Sequence, residues 1–237
     1  MLRERQALIT GGTGGIGLSI AQAMLNAGYE VTVTGLTDEE IARVPDTRNL
    51  SAITLDVTQP LSVAEALRRF DTLAALVNCA GTIFRNGSEY EIDTFQRVID
   101  VNLTGTMRVC IAARPKLAAV GGSIVNTASM LSFFGGPLVP AYSASKGGVM
   151  QLTKSLSGAW AREGIRVNAI APGWIVTEMT RSLVADESRS ASILERTPLK
   201  RWGDPADIGG AVVFLCSEAA RFITGAILPI DGGYAAT

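Results

Sequence analysis

Residues 10–17 read Thr10-Gly11-Gly12-Thr13-Gly14-Gly15-Ile16-Gly17, and this stretch decides the fold. It follows a short apolar run at Ala7–Thr10 and leads directly into a helical pattern at Ile16–Ala27. Glycines here permit a tight turn from strand to helix and let a pyrophosphate approach the main chain, where the first helical N–H groups can bind it. A glycine turn by itself is weak evidence. Its place between a strand and a helix, in a unit of roughly thirty residues, predicts a dinucleotide-binding turn.

Strand-like runs alternate with helical patterns along the whole chain. Most of the runs are apolar on consecutive residues, which is typical of strands buried on both faces of a parallel sheet. They lie at Ala7–Thr10, Glu30–Thr34, Ser51–Leu55, Leu73–Asn78, Ser123–Ala128, Arg166–Ala171 and Ala226–Ile230. The helical patterns lie at Ile16–Ala27, Leu61–Phe70, Phe95–Ala119, Ala141–Arg162 and Asp204–Ser217. We therefore expect an α/β protein with one domain over residues 1–237, a doubly wound Rossmann fold whose mostly parallel central sheet has helices on both faces.

The composition argues against several classes of function. The chain has 21 Lys and Arg against 22 Asp and Glu, so its net charge of -1 provides no basic field for nucleic acid. It contains no histidine, and its three cysteines, Cys79, Cys110 and Cys216, are far apart. A metal site is not expected, since such sites use His or clustered Cys ligands. Proton transfer must therefore come from Tyr, Lys, Asp, Glu or Cys side chains.

No segment indicates export or a membrane span. No secretory leader is visible before the first strand-like run, which starts at Ala7. No apolar run approaches the roughly 20 residues that a membrane helix needs. We expect a cytoplasmic protein with no membrane partner.

In a dinucleotide-binding fold, the residue at the end of the second strand usually indicates whether the cofactor is NAD or NADP. An acid there would bond the ribose hydroxyls of NAD, and an arginine would hold the 2′-phosphate of NADP. Gly35 and Leu36 are neither, the acids Asp38–Glu40 suit a helix start, and Arg43 is further on. The glycine turn also lacks a cation for a 2′-phosphate. We expect NAD as the preferred cofactor, with NADP not excluded.

A serine, a tyrosine and a lysine form the candidate catalytic group. Ser129 follows the strand-like run Ser123–Ala128, and Tyr142 and Lys146 share one helix face at a spacing of four residues. A free tyrosine has a pKa near ~10 and is a poor base at neutral pH. A nearby ammonium favours the phenolate and lowers that pKa, and a serine hydroxyl can bond a developing oxyanion. Without the dinucleotide turn, the pair would be read as a surface pair.

Further motifs occur in the order found in one known family. They are Thr10-Gly11-x-x-x-Gly15-Ile16-Gly17, Asp56-Val57, Asn78-Cys79-Ala80-Gly81, Val101-Asn102-Leu103, Pro172-Gly173-Trp174-Ile175-Val176-Thr177 and Ile230-Asp231-Gly232-Gly233. Together with Ser129, Tyr142 and Lys146, they make the chain resemble the classical short-chain dehydrogenase/reductases over essentially its whole length. Cys79 stands where the family has a second Asn, and the stretch between Thr37 and Asp71 is short.

The resemblance implies a catalytic tetrad of Asn102, Ser129, Tyr142 and Lys146. In reduction, Tyr142 would donate a proton to the carbonyl oxygen as hydride reaches the carbon, and Ser129 would orient the carbonyl. Lys146 would lower the pKa of Tyr142 and bond the nicotinamide ribose. Asn102 would support a water that links Lys146 to solvent.

Cofactor contacts follow from the same resemblance. The expected residues are Gly11, Thr13, Gly15, Ile16, Gly17, Leu36, Asp56, Val57, Asn78, Ala80, Gly81, Tyr142, Lys146, Pro172, Gly173, Ile175 and Thr177. The pair at 56–57 would contact the adenine ring, and the segment 172–177 would bond the nicotinamide carboxamide. A homotetramer is also implied.

The substrate is expected to be a small-molecule carbonyl or alcohol. A polar-rich lid is predicted around residues 178–200, and aromatic and aliphatic neighbours of Ser129, with Trp174, suggest a partly apolar pocket. Two alternatives stay open. A reductase for acyl chains on a carrier protein would need a basic docking patch, for which Arg114 and Lys116 are the candidates. A non-catalytic dinucleotide sensor would not need the tetrad.

Overall fold

The computed structural model describes residues 5–236, and its seven strands form one parallel sheet. The strands are β1 (Gln6–Thr10), β2 (Glu30–Gly35), β3 (Leu50–Thr54), β4 (Ala75–Asn78), β5 (Ser123–Thr127), β6 (Arg166–Pro172) and β7 (Ile227–Ile230). Their order across the sheet is β3-β2-β1-β4-β5-β6-β7, and every neighbouring pair is parallel. The predicted doubly wound α/β fold is confirmed.

Helices connect the strands and cover both faces of the sheet. They are α1 (Gly15–Asn26), α2 (Asp38–Ala42), α3 (Pro60–Leu67), α4 (Ile92–Ile99), α5 (Gly105–Ala118), α6 (Pro140–Trp160), α7 (Arg181–Ala185), α8 (Glu187–Arg196) and α9 (Ala206–Cys216). Across the described part of the chain, no helix combines the length and the apolar character needed to cross a lipid bilayer.

Side chains alternate along each strand, so each face of the sheet has its own core. Leu8 of β1 packs on one face with Val109 of α5. The next residue, Ile9, packs on the other face with Ile20 of α1 and Ile208 of α9. All of these side chains are fully buried, and each contributes about 1.5–3 kcal/mol relative to an exposed position. This two-sided burial explains why the strands are continuous apolar runs rather than alternating ones.

The long helix predicted at Phe95–Ala119 is interrupted in the structure. The chain turns helical at Ile92, and a π turn at Asp100–Thr104 separates α4 from α5. A π turn widens the helix by one residue and is frequent at functional sites. Here it holds Asn102, which is fully buried. The apolar periodicity runs through this turn, which is why the sequence gives no sign of it.

Candidate active site

The carboxyl ends of the strands open into a cleft at the reversal of strand order between β1 and β4, where doubly wound sheets bind ligands. The cleft has a volume of about 670 Å³. Predicted cofactor residues that line it are Gly11, Thr13, Gly15, Ile16, Gly17, Leu36, Asp56, Val57, Ala80, Gly81, Tyr142, Lys146 and Thr177. A second cavity, of about 650 Å³, lies at the amino ends of the strands around Arg5, Tyr29 and Arg166 and contains none of these residues. The cleft is therefore the candidate site.

The glycine turn forms one wall of the cleft and has the shape that a pyrophosphate requires. Gly11 and Gly15 have φ of +63° and +51°, the region that favours glycine. A Cβ at Gly17 would lie 2.3 Å from the main-chain oxygen of Gly11, so no other residue fits there. A Cβ at Gly14, directly before α1, would meet nothing within 4 Å. The start of α1 is thus open to the cleft, and its free N–H groups and positive dipole end suit a phosphate.

Some predicted cofactor residues lie behind the wall of the cleft rather than on its surface. They are Asn78, Pro172, Gly173 and Ile175. Because its side chain points into the interior, Asn78 donates to Asn126 Oδ1 at 2.9 Å. The main-chain N–H of Gly173 donates to Ile230 O at 3.0 Å, and Ile175 is buried in the core. In this structure these residues support the cleft, and Thr177 is the member of the 172–177 segment that lines it.

Tyr142 and Lys146 lie one turn apart on α6 and both line the cleft. Lys146 Nζ is 5.6 Å from the centroid of the Tyr142 ring. Ser129 lies just beyond the end of β5 and is buried, and its hydroxyl acts to lower the pKa of the Tyr142 phenol. Ser129 Oγ also accepts from the main-chain N–H of Leu131 at 3.1 Å, which fixes the hydroxyl in place. The structure therefore brings together the three residues that the sequence predicts.

Burial shifts the pKa values of both Tyr142 and Lys146. Burial raises the pKa of Tyr142 above its ordinary value of 10.0, against the lowering effects of the Ser129 hydroxyl and the positive charge of Arg85. Burial lowers the pKa of Lys146 from 10.5 to about 8, and its Nζ donates to Thr127 O at 2.6 Å. In this structure desolvation dominates, and the cation that acts to lower the pKa of Tyr142 is Arg85. The expected lowering of that pKa by Lys146 stays a prediction.

Asn102 joins the loop after β4 to α6. Its Oδ1 accepts from Thr82 N at 2.7 Å, and its Nδ2 donates to Thr82 O at 2.9 Å and to Ser145 Oγ at 3.0 Å. A Cβ at Gly81 would lie 3.3 Å from Asn102 Oδ1 and 3.7 Å from Lys146 Nζ, so both side chains border one small space. These contacts fix the position of the loop after β4 relative to α6. The expected role of Asn102 in supporting a water stays a prediction.

Glu89 is a site residue that the sequence does not reveal. Its carboxylate is only 1% exposed, and its Oε1 and Oε2 accept the main-chain N–H groups of Phe84 and Tyr142 at 3.0 and 2.9 Å. The negative charge of Glu89 acts to raise the pKa of Tyr142 and that of Arg85 on the same loop. Its partner Tyr142 is 53 residues away, so no local spacing could have indicated the contact.

Two charged residues that follow β2, an acid and a cation, line the cleft. Glu40 Oε2 accepts from Leu36 N at 2.7 Å, which brings the carboxylate back to the end of the strand. Arg43, one turn further along the chain, also lines the cleft. Neither residue belongs to a cofactor motif that is visible in the sequence. The helix α2 is only five residues long, too short to show a periodic apolar pattern. The sequence therefore could not predict that Glu40 and Arg43 face the cleft.

A family model described as enoyl-(acyl carrier protein) reductase matches residues 11–235, nearly the whole chain. The chain belongs to the short-chain dehydrogenase/reductase family. As a member, the protein is an oxidoreductase that transfers a hydride between a nicotinamide cofactor and a carbonyl or secondary alcohol carbon.

Relatives of known name cover the chain end to end. A 2-dehydro-3-deoxy-D-gluconate 5-dehydrogenase of Bacillus subtilis is 41% identical over 242 residues, which span 98% of this chain and 95% of the relative. The enzyme of the same name from Escherichia coli is 38% identical over 245 residues, spanning 99% and 97%. A gluconate 5-dehydrogenase from Burkholderia cenocepacia, solved in complex with NADP and tartrate, has a TM-score of 0.92 and 35% identity, covering 98% of this chain and 96% of that one.

These comparisons bear on the cofactor and on the alternatives. They support a nicotinamide cofactor but not the expected preference for NAD, since the Burkholderia structure holds NADP. The two cations named for the carrier-protein alternative each have a partner within the chain. Arg114 pairs with Glu163, and Lys116 Nζ donates to the main-chain oxygen of Phe70.

Proposed function

We propose that this short-chain dehydrogenase/reductase interconverts a secondary alcohol and a ketone on a sugar acid, with NADP as the hydride carrier. The observation that carries the proposal is the position of Tyr142. The phenol lines the glycine-walled cleft, the buried Ser129 hydroxyl acts to lower its pKa, and the Lys146 ammonium lies one helical turn away. The sugar-acid substrate rests on the names of the relatives, which act on gluconates.

Tyr142 is assigned the proton transfer. When bound, the nicotinamide cofactor supplies the hydride for reduction and takes it up in oxidation. In reduction, the Tyr142 phenol donates its proton to the substrate oxygen, and its raised pKa keeps it protonated at neutral pH. In oxidation, the phenolate accepts the hydroxyl proton of the alcohol, so the oxidation rate should increase with pH. Ser129 donates a hydrogen bond to the same substrate oxygen.

Lys146 and Asn102 complete the proposed tetrad. With a pKa of about 8, Lys146 exchanges a proton easily near neutral pH and can return one to Tyr142 after each turnover. Its position in the cleft also suits the hydroxyls of a nicotinamide ribose. Asn102 keeps α6 and the loop after β4 together, which holds Lys146 at this position. The glycine turn, Asp56 and Val57 would hold the pyrophosphate and adenosine parts of the cofactor.

Arg43 supports the assignment of NADP. It lines the adenosine end of the cleft and can pair with a 2′-phosphate, whereas the Glu40 carboxylate at the end of β2 opposes that charge. We expect wild-type protein to have a higher kcat/KM with NADPH than with NADH. Arg43→Gln should lower kcat/KM with NADPH by roughly tenfold and leave kcat/KM with NADH almost unchanged. Glu40→Gln should raise kcat/KM with NADPH. A wild-type preference for NADH would contradict the assignment.

The substrate class is tested by turnover. Purified protein is assayed with NADPH and NADH against 5-keto-D-gluconate, neutral ketoses, simple diketones and acetoacetyl thioesters. We expect the keto acid to give the highest kcat/KM. Preference for the thioester would favour the carrier-protein reductase, and cofactor binding without turnover of any compound would favour a sensor.

We also propose a homotetramer, as the family resemblance implies. Several large apolar side chains are exposed in the single chain, among them Ile111 on α5, Phe214 on α9 and Phe222. A partner subunit would cover such residues. Sedimentation equilibrium should give four times the mass of one chain, and a monomer at micromolar concentration would contradict the proposal. A cytoplasmic location stays an expectation from the sequence.

A further inference from the structure

The loop at residues 128–139 joins β5 to α6 and carries Ser129. The proposed chemistry needs the Ser129 hydroxyl and the Tyr142 phenol at hydrogen-bond distance from one substrate oxygen, although the two residues lie on different elements. A misplacement of about 1 Å in such a geometry can lower a rate by roughly 10²-fold. The loop must therefore be fixed accurately against α6.

The hydroxyl of Ser132 connects this loop to α6. Its Oγ accepts the main-chain N–H of Ser129 at 3.2 Å and donates to the main-chain oxygen of Lys146 at 2.7 Å. The main-chain N–H of Ser132 also donates to Ser129 O at 2.9 Å. One half-buried hydroxyl thus joins the backbones of two residues of the proposed tetrad.

A second serine holds the same loop through residues outside the tetrad. Ser143 Oγ accepts the main-chain N–H of Gly136 at 3.0 Å and donates to Val139 O at 2.9 Å. Like Ser132, it is half-buried and uses its hydroxyl both as a donor and as an acceptor. Comparing the two serines therefore separates the general anchoring of the loop from the placement of Ser129.

We propose that Ser132 is a positioning residue for the proton transfer, because its bridge from Ser129 N to Lys146 O sets the place of the Ser129 hydroxyl relative to the Tyr142 phenol. The inference rests on the proposed function, since it assumes the chemistry of the tetrad. A serine suits this role because a single hydroxyl can donate and accept at the same time. Ser132→Ala would leave the N–H of the buried Ser129 without this acceptor.

Replacing one neutral residue by another leaves the charges around the phenol of Tyr142 unchanged. These charges come from the loop after β4 and from α6 and belong to Arg85, Glu89 and Lys146. The Ser129 hydroxyl acts to lower the pKa of Tyr142, so displacing this hydroxyl should raise that pKa further. Since the phenolate is the base in oxidation, the pH profile of kcat for oxidation should then move to higher pH.

The test compares Ser132→Ala with Ser143→Ala, the matched control. For wild-type protein and both variants we measure kcat for reduction of 5-keto-D-gluconate, the pH profile of kcat for oxidation, the Kd for NADPH and the midpoint of urea unfolding. Protein labelled with 3-fluorotyrosine provides a readout that needs no turnover. Its fluorine NMR spectrum reports the surroundings of the Tyr142 ring, whose resonance is identified by its absence from Tyr142→Phe.

We expect Ser132→Ala to lower kcat roughly 10- to 100-fold while the Kd for NADPH stays within about threefold of wild type. The oxidation profile should move to higher pH, and the fluorine resonance of Tyr142 should shift. Ser143→Ala should keep the wild-type kcat, pH profile and resonance, although its urea midpoint should fall by as much as that of Ser132→Ala.

A wild-type kcat in Ser132→Ala, or equal losses of kcat in the two variants, would overturn the positioning role. An unchanged Tyr142 resonance in Ser132→Ala would overturn it as well. If wild-type protein does not reduce 5-keto-D-gluconate, the proposed function fails, and the fluorine spectra alone then decide the role of Ser132.

Discussion

At the scale of single residues, the site is governed by desolvation. Tyr142 and Lys146 were predictable because their spacing and the serine after a strand are visible in the sequence. Their protonation was not predictable, since it depends on burial and on charges brought in by distant segments. In the folded protein, burial keeps Tyr142 a phenol and makes Lys146 a weak acid with a pKa of about 8. Arg85 and Glu89, which adjust the phenol, lie on a loop whose conformation no local pattern indicates.

The Lys146 ammonium should destabilise the fold at neutral pH. Its pKa is lowered from 10.5 to about 8, so the unfolded chain binds the proton more tightly, and stability rises with pH between those two values. Lys146→Met removes a penalty on the order of 3 kcal/mol but leaves Thr127 O without its donor, which costs about 1–2 kcal/mol. We expect a net gain of about 1–2 kcal/mol in urea unfolding at pH 7, together with loss of activity.

The pH dependence provides the control for this prediction. At pH 9.5 the wild-type lysine is largely neutral in the folded protein, so the gain from Lys146→Met should shrink. A variant that is less stable than wild type by the same amount at both pH values would show that Lys146 carries no electrostatic penalty.

At the scale of elements, the important contacts join pieces that are far apart in sequence. The strands were predictable from their apolar runs, and α1, α6 and α9 from their periodicity. The π turn at Asp100–Thr104 was not, because a one-residue widening leaves the apolar spacing almost unchanged. The link between the loop after β4 and the first turn of α6 was also invisible, since it is a tertiary contact made by Glu89.

Glu89→Gln should change both this link and the acidity of Tyr142. Glutamine has one carbonyl oxygen where glutamate has two, so the N–H of Phe84 or of Tyr142 loses its acceptor, at a cost of about 1–3 kcal/mol. Removing the negative charge also lowers the pKa of Tyr142. In the oxidation direction, the pH profile of kcat should therefore move to lower pH.

Glu91→Gln, an exposed neighbour on the same segment, is the matched control and should keep the wild-type profile. If the Glu89→Gln profile coincided with that of wild type, the carboxylate would have only a structural role.

At the scale of the whole molecule, the order of the strands in the sheet determines where the active-site cleft lies. Parallel strands with right-handed connections leave one edge where all the carboxyl ends meet, and the reversal of strand order beside β1 opens the cleft there. The glycine turn therefore predicted the location of the site as well as the fold. The adenosine end was harder to predict, because Glu40 and Arg43 reach the cleft only through the short helix α2.

The central claim is that the Tyr142 phenol transfers the proton that accompanies hydride transfer. The most direct measurement is the kcat of Tyr142→Phe for reduction of 5-keto-D-gluconate, together with the Kd for NADPH from fluorescence titration. We predict a fall in kcat of about 10²–10⁴-fold, the usual contribution of a positioned acid, with a Kd within about threefold of wild type. A kcat close to the wild-type value in a variant that binds NADPH normally would contradict the claim.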